Sequence, residues 1–157
     1  MTPPYDVRPG FQGDYKLLQD TLTSQWGEQA TTLFPSDQLL LINKAPGEDT
    51  VLECIRGGIV LGTLLYEDHR WRFKPRKAAL AHLQHPERGY LEIAEDAVPF
   101  LADRRNALRP GVDCWSDDIK HGDCSIQACH TLCQSRRYAE LLVFAYRGAH
   151  AAFCRTF

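Results

Sequence analysis

Apolar residues recur first with the period of a helix and then with that of strands. In GDYKLLQDTLTSQWG, Leu18, Leu22 and Trp26 lie four residues apart, which predicts an amphipathic helix. The chain then changes to short runs rich in leucine, isoleucine and valine, namely QLLLINK, TVLECIRGGIVLGTLLYE and HRWRFKPRK. These runs predict the strands of an antiparallel meander, with Gly57 and Gly58 in a tight hairpin turn.

The second half of the chain mixes short helical and strand patterns. KAALAHLQ has helical composition, EIAEDAVPFLAD predicts a short helix with an apolar face, and DCSIQACHTLC predicts one or two strands. SRRYAELLVFAYRG predicts a further helix and AAFCRTF a closing strand. The order of elements therefore predicts an α+β fold made of two small domains, residues 1–88 and 89–157.

Composition and charge narrow the classes of function. A chain of 157 residues with 44% hydrophobic content can bury a real core. Its net charge of −2 argues against binding of nucleic acid or a membrane through the net charge of the whole molecule. The placement of the cations therefore matters more than their number. The sequence starts without a signal-like segment, and no apolar run approaches a membrane span. We expect a cytoplasmic protein without membrane association.

The predicted strand HRWRFKPRK separates cations from aromatic residues. Because alternate side chains of a strand share a face, one side carries the cationic row Arg70, Arg72, Lys74 and Arg76, and the other carries Trp71 and Phe73. Neighbours in that row lie roughly 7 Å apart, a spacing that suits successive groups of a phosphate backbone. The alternative is a solvated, charge-protected edge strand whose apolar side packs on the first helix.

The six cysteines offer a candidate metal site. Without a signal-like segment they are expected to be reduced, and four of them lie close together in the sequence: Cys114, Cys124, Cys129 and Cys133. Their spacing lacks the close CxxC pairs of structural zinc sites, which favours buried structural thiols over metal binding. Nucleotide-binding, metalloprotease and hydrolase motifs are absent as well. The sequence therefore predicts a protein that is not an enzyme and has no metal or cofactor.

A series of turn and core residues in the second half carries a family resemblance. It runs AVPFL, RRNAL, PGV, DDI and GD between residues 97 and 123, and RG precedes the closing AAFCR. This order resembles the PUA domain, a small RNA-binding pseudo-barrel of pseudouridine synthases, archaeosine transglycosylases and ribosome-associated proteins. The resemblance implies a PUA-like β pseudo-barrel at the C-terminal end.

The first half resembles a second protein type. DVRPGF with GDY, LLINKAPGED, and VLGTLLYE followed by WRFKPR are similar to the domain that precedes PUA in archaeal phosphoadenosine-phosphosulfate-reductase-like proteins. This resemblance implies an N-terminal pre-PUA α/β domain of an antiparallel sheet plus helices. The reductase-like catalytic domain has no counterpart in these residues.

The PUA resemblance also implies a site. In that family the RNA contacts cluster near the helix, its following loop and the closing strand, which here correspond to Arg104, Arg105, Asn106, Arg109, Arg147 and Arg155. It implies a non-catalytic protein that binds tRNA or rRNA in RNA modification or ribosome assembly, beside a modification enzyme or a ribosomal partner. Arg104 and Cys129 stand where the family usually has glycine. Two alternatives stay open: an accessory unit of a sulfur-transfer or tRNA-thiolation enzyme, and a protein-interaction module that has lost RNA binding.

Overall fold

The chain divides into two compact units, Met1–Leu83 and Gln84–Phe157. The computed structural model describes residues 4–83, 86–97, 99, 112–117 and 126–128. The division lies close to the domain boundary expected after residue 88, and the existence of two separate domains stays a prediction.

The first unit contains one long helix, α1, at Gln12–Trp26, which confirms the helix predicted from the apolar spacing. Leu18, Leu22 and Trp26 are all buried, as a four-residue period on one helix face requires. The helix stops at Gly27, whose N–H donates to the Thr23 carbonyl over 3.0 Å. Within the described ranges, no helix is both long enough and apolar enough to cross a membrane.

A five-stranded antiparallel sheet packs against this helix. Its strands follow the order β1-β2-β3-β4-β5 in space as in sequence: β1 Asp6–Pro9, β2 Leu40–Lys44, β3 Val51–Arg56, β4 Ile59–Glu67 and β5 Arg70–Pro75. Strands β2 to β5 confirm the predicted meander. Gly57 and Gly58 join β3 to β4 with φ of 57° and 78°, the left-handed geometry that a two-residue hairpin turn requires.

The sheet begins one strand earlier than the sequence pattern indicates. The segment DVRP was interpreted as part of a turn-rich entry, yet it forms β1 and pairs with β2, with Val7 opposite Asn43. Arg8 then ties β1 to the start of α1 through two bonds to Asp14, of 2.6 and 3.2 Å. Asp14 also accepts the Phe11 N–H over 2.7 Å, so one carboxylate fixes both the helix start and the strand.

Two short segments of the first unit are 3-10 helices, at Glu28–Leu33 and Lys77–His82. The second corrects the expectation for KAALAHLQ, which has helical composition but forms six residues of the tighter helix. Its length explains the difference, because so short a segment gains few α-helical hydrogen bonds and takes its order from packing. Ala79 and Leu80 supply that packing, since both are buried.

The described part of the second unit is a three-stranded sheet. Strand β6 at Tyr90–Ile93 lies between β7 at Val112–Trp115 and β8 at Ile126–Ala128, antiparallel to β7 and parallel to β8. Strand β8 confirms a strand within DCSIQACHTLC. The helix expected over EIAEDAVPFLAD is wrong at its start, because Glu92 and Ile93 belong to β6. A 3-10 turn follows at Glu95–Ala97. The helix predicted in SRRYAELLVFAYRG and the strand predicted in AAFCRTF lie outside the described residues.

We expect Asp14→Ala to lower the free energy of unfolding by about 1–2 kcal/mol, because it removes the helix N-terminal acceptor and the Arg8 partner together. Burial alone would raise the pKa of Asp14, but the bonds from Arg8 and the Phe11 N–H outweigh it, and the pKa is lowered. Its stabilisation should therefore be present above the ordinary pKa and disappear as the pH falls through the lower folded value. Urea denaturation at several pH values measures both effects. Asp20→Ala, on an exposed position of the same helix, should change little, and an equal loss in the two variants would contradict the assignment.

A pH dependence near neutrality is expected from His82. Arg56 donates to His82 Nε2 over 2.8 Å and also to the Thr32 and Leu33 carbonyls, so the imidazole faces a fixed cation. Burial first and the Arg56 charge second lower the pKa of His82. The unfolded chain therefore takes up a proton before the folded one, and stability should decrease as the pH falls below about 6.5. His82→Gln should flatten this part of the stability profile; an unchanged slope would contradict the prediction.

Candidate nucleic-acid interface

Strand β5 holds the described part of the predicted site, and α1 fixes its position. The Gln25 side chain, near the end of α1, accepts the Phe73 N–H over 2.6 Å and donates to the Phe73 carbonyl over 3.2 Å. Strand β5 is the last strand of its sheet, so Gln25 satisfies backbone groups that an edge would otherwise expose. The strand is thereby held rigidly against the helix.

The predicted separation of aromatic and cationic residues on β5 is confirmed. Phe73 is fully buried on the α1 side, edge-to-face with Trp26 at 6.3 Å and with Phe34 at 5.8 Å between ring centroids. Arg70, Arg72 and Lys74 alternate with it and lie opposite Glu67, Leu65 and Thr63 of β4. The apolar side of the strand therefore packs on the first helix, as the alternative reading of this strand expected.

Carboxylates engage Arg72, Lys74 and Arg76 of the row. Arg72 bonds Asp68 over 3.1 Å, Lys74 bonds Glu67 over 3.0 and 3.1 Å, and Arg76 bonds Glu53 over 2.8 Å. Arg72 is also buried, whereas Arg70 at the strand start is exposed. A phosphate that approached Arg72, Lys74 or Arg76 would have to replace a carboxylate partner.

The Arg76 ion pair belongs to a buried polar cluster. Glu53 is 2% exposed and accepts one bond from Arg76 and one from the Asn43 amide, which is 2.8 Å away. Asn43 in turn accepts the Tyr5 N–H over 3.1 Å. A buried carboxylate is costly unless it is paired and hydrogen-bonded, so Arg76 stabilises the fold as the counter-ion of Glu53.

Comparison with solved structures identifies the architecture. The chain is similar to a conserved PUA domain protein of Thermoplasma acidophilum, with a TM-score of 0.55 over 80% of this chain and 74% of that one, at 13% identity. The fold is PUA-like. A hypothetical protein of Pyrococcus horikoshii has a similar structure, with a TM-score of 0.59 over 88% of this chain and 78% of that one, at 15% identity.

In sequence, no family model matches this PUA-like chain. An uncharacterized protein of Methanocaldococcus jannaschii is 29% identical over 128 residues, which cover 78% of this chain and 26% of that protein. The chain thus spans about a quarter of the length of that relative.

The positions implied by the PUA resemblance fall in the second unit. Arg104, Arg105, Asn106 and Arg109, together with Arg147 and Arg155, lie outside the described residues. They stay predictions, as does the resemblance of the first half to the domain that precedes PUA in reductase-like proteins.

The cysteines are only partly described. Cys54 is a free, fully buried thiol on β3, and burial raises its pKa to about 12, so it is a poor nucleophile. Cys114 lies on β7, while Cys124, Cys129 and Cys133 lie outside the described residues. Among the residues that the structure describes, no group of three or more His, Cys, Asp or Glu side chains is arranged to hold a metal ion.

The β4–β5 hairpin of this PUA-like protein has a tight turn and an aromatic pair that the sequence analysis did not predict. Its turn residues Asp68 and His69 have φ of 52° and 60°, and just behind them Tyr66 and Trp71 form an aromatic pair. The sequence held a signal for the turn, because aspartate tolerates the left-handed conformation better than most residues. The interpretation of HRWRFKPRK as one strand from its first residue concealed that turn.

Proposed function

We propose that this chain is a non-catalytic RNA-binding protein that holds structured tRNA or rRNA during RNA modification or ribosome assembly. The observation that carries the proposal is the structural likeness to a PUA domain protein. The proposed activity is positioning: the protein presents an RNA to a partner enzyme or to a ribosomal partner and makes or breaks no bond itself.

The proposed contacts are phosphate contacts. We propose that they are made by the guanidinium groups of Arg104, Arg105 and Arg109, which are close to Asn106 in sequence, and by those of Arg147 and Arg155 at the C-terminal end. Guanidinium groups pair with phosphates through bidentate bonds and release condensed counterions, which gives affinity with little reading of sequence. Preference for a structured RNA comes from the A-form spacing of its phosphates and its 2′-hydroxyls.

We expect the cationic row of β5 to contribute less to RNA affinity. Arg70 is exposed and lies at the turn, where an RNA strand can reach it. Arg72, Lys74 and Arg76 belong to the proposed surface as well, but each would exchange a carboxylate for a phosphate. Such an exchange contributes little net affinity at a surface pair, and at Arg76 it would also weaken the pairing of the buried Glu53. We therefore expect substitutions in this row to change RNA affinity less than substitutions of Arg104 and Arg105.

Purification from native extract, with and without prior nuclease treatment, tests the proposal in the cell. RNA of tRNA or rRNA origin should be enriched with the tagged protein, and proteins that reach it only through RNA should disappear after nuclease treatment. A protein partner that persists after nuclease treatment, with no RNA enriched before it, would favour the protein-interaction alternative and contradict the proposal.

A further inference from the structure

The β4–β5 turn uses side chains where the neighbouring turn uses glycine. Both hairpins have two central residues with left-handed φ, Gly57 and Gly58 in one, and Asp68 and His69 in the other. Glycine takes this conformation without strain and aspartate tolerates it, whereas most other residues with a β-carbon adopt it at a cost. The fold alone would therefore favour glycine at the second turn too, so the side chains there need an explanation of their own.

The fold accounts for only one of those two side chains. Asp68 pairs with Arg72 over 3.1 Å, which links the turn to β5. His69 is exposed and takes part in no hydrogen bond, ion pair or ring contact with another described residue. An exposed imidazole kept in a strained turn is a group available to a ligand.

An aromatic pair next to the turn is also accessible to a ligand. Tyr66 and Trp71 are directly opposite each other on β4 and β5, with ring centroids 5.3 Å apart and an interplanar angle of 57°. Tyr66 is 43% exposed and Trp71 is half-buried. Neither the Tyr66 hydroxyl nor the Trp71 N–H bonds to any other described group. The pair thus offers two tilted rings, of which Tyr66 is the more exposed, with two open hydrogen-bonding groups at their rim.

The charge of the hairpin indicates the sign of the charge that a ligand would carry. Residues 66–74 carry three cations and two carboxylates, so the hairpin has a net positive charge, and Asp68 pairs with Arg72 and Glu67 with Lys74. Exposed Arg70 and His69 lie at the turn itself. A planar ring next to an anionic group suits this arrangement, and an unpaired nucleotide has both.

We propose that one unpaired base of the bound RNA stacks on the exposed ring of Tyr66 with Trp71 beside it, while His69 and Arg70 contact a phosphate next to that base. This inference rests on the proposed RNA binding and adds the class of RNA: a structured RNA with a single-stranded extension. Stacking on aromatic side chains accepts any base, so the site selects unpaired nucleotides without selecting a sequence.

Two RNAs test this inference: a blunt RNA hairpin, and the same hairpin with three unpaired nucleotides at each end. The wild-type protein should bind the extended RNA about tenfold more tightly, as stacking of one base implies. Tyr66→Leu with Trp71→Leu should remove that preference and leave the affinity for the blunt hairpin unchanged. The control, Leu39→Ala with Ile59→Ala, removes two exposed apolar side chains elsewhere and should keep the preference.

A second variant separates a ligand contact from a structural role. His69→Gly should relieve the strained turn and raise Tm by about 2–4 °C, yet weaken binding of the extended RNA severalfold. A purely structural histidine would give the stability gain without any loss of binding, and that result would overturn the assignment.

The outcomes for the two proposals differ. Salt-dependent binding of both RNAs with equal affinity would leave the proposed function standing and overturn the stacking site. A preference that survives the Tyr66 and Trp71 substitutions would overturn it as well. Binding of neither RNA would overturn both proposals.

Discussion

Gly62→Ala is expected to destabilise the protein by about 2–3 kcal/mol, because this glycine has no room for a β-carbon. Gly62 is buried on β4, and a β-carbon there would lie 2.6 Å from the Lys74 carbonyl oxygen and overlap the Phe73 ring. The carbonyl cannot yield easily, because β4 and β5 are paired on either side of it. The strand would have to shift, and Phe73 would lose its packing between Trp26 and Phe34.

Gly13→Ala is the matched control for this substitution. Gly13 lies in the first turn of α1, and a β-carbon there would meet no atom within 4 Å. Alanine should therefore stabilise the helix by about 0.5–1 kcal/mol. Urea denaturation of both variants measures the contrast. A Gly62→Ala protein as stable as the wild type would show that β5 is not held in place as the structure indicates.

Arg104→Glu together with Arg105→Glu is expected to weaken binding of structured tRNA by about a hundredfold at low salt, since two proposed phosphate contacts become repulsive. The slope of log affinity against log salt should also fall by about two. Filter binding measures both quantities, and circular dichroism checks that the fold is intact.

Lys16→Glu with Lys77→Glu provides the control for that pair of substitutions. Both lysines are exposed in the first unit, and their reversal changes the net charge of the chain by the same amount. Its effect on affinity should be small. An equal loss in the two double variants would mean that only net charge matters, which would contradict a localised site.

The sequence predicts those elements of the first unit that its local pattern determines. Apolar spacing defines α1, alternation and β-branched residues define β2 to β5, and two glycines define one hairpin turn. Strand β1 was missed because its four residues are largely exposed and take their conformation from pairing with β2 and from the Arg8–Asp14 bonds. The local sequence pattern does not show which other strand or side chain such a segment will pair with.

The partners of the cationic row could not be predicted for the same reason. Glu53 is 23 residues from Arg76 in sequence, and only the register of β3, β4 and β5 brings the two together. Alternation therefore predicts correctly which face holds the cations, but it gives neither the burial of Arg72 nor the carboxylates that engage its neighbours. The contact between Tyr66 and Trp71 depends on register in the same way.

The central claim is that this PUA-like chain binds structured RNA through clustered arginines. The most direct test is a filter-binding titration with a structured tRNA at two salt concentrations. With about five phosphate contacts, the slope of log affinity against log salt should be near −4, and affinity should fall by about a hundredfold or more between 50 and 200 mM salt. Affinity no better than that of an unrelated protein with a basic patch, or affinity independent of salt, would contradict the claim.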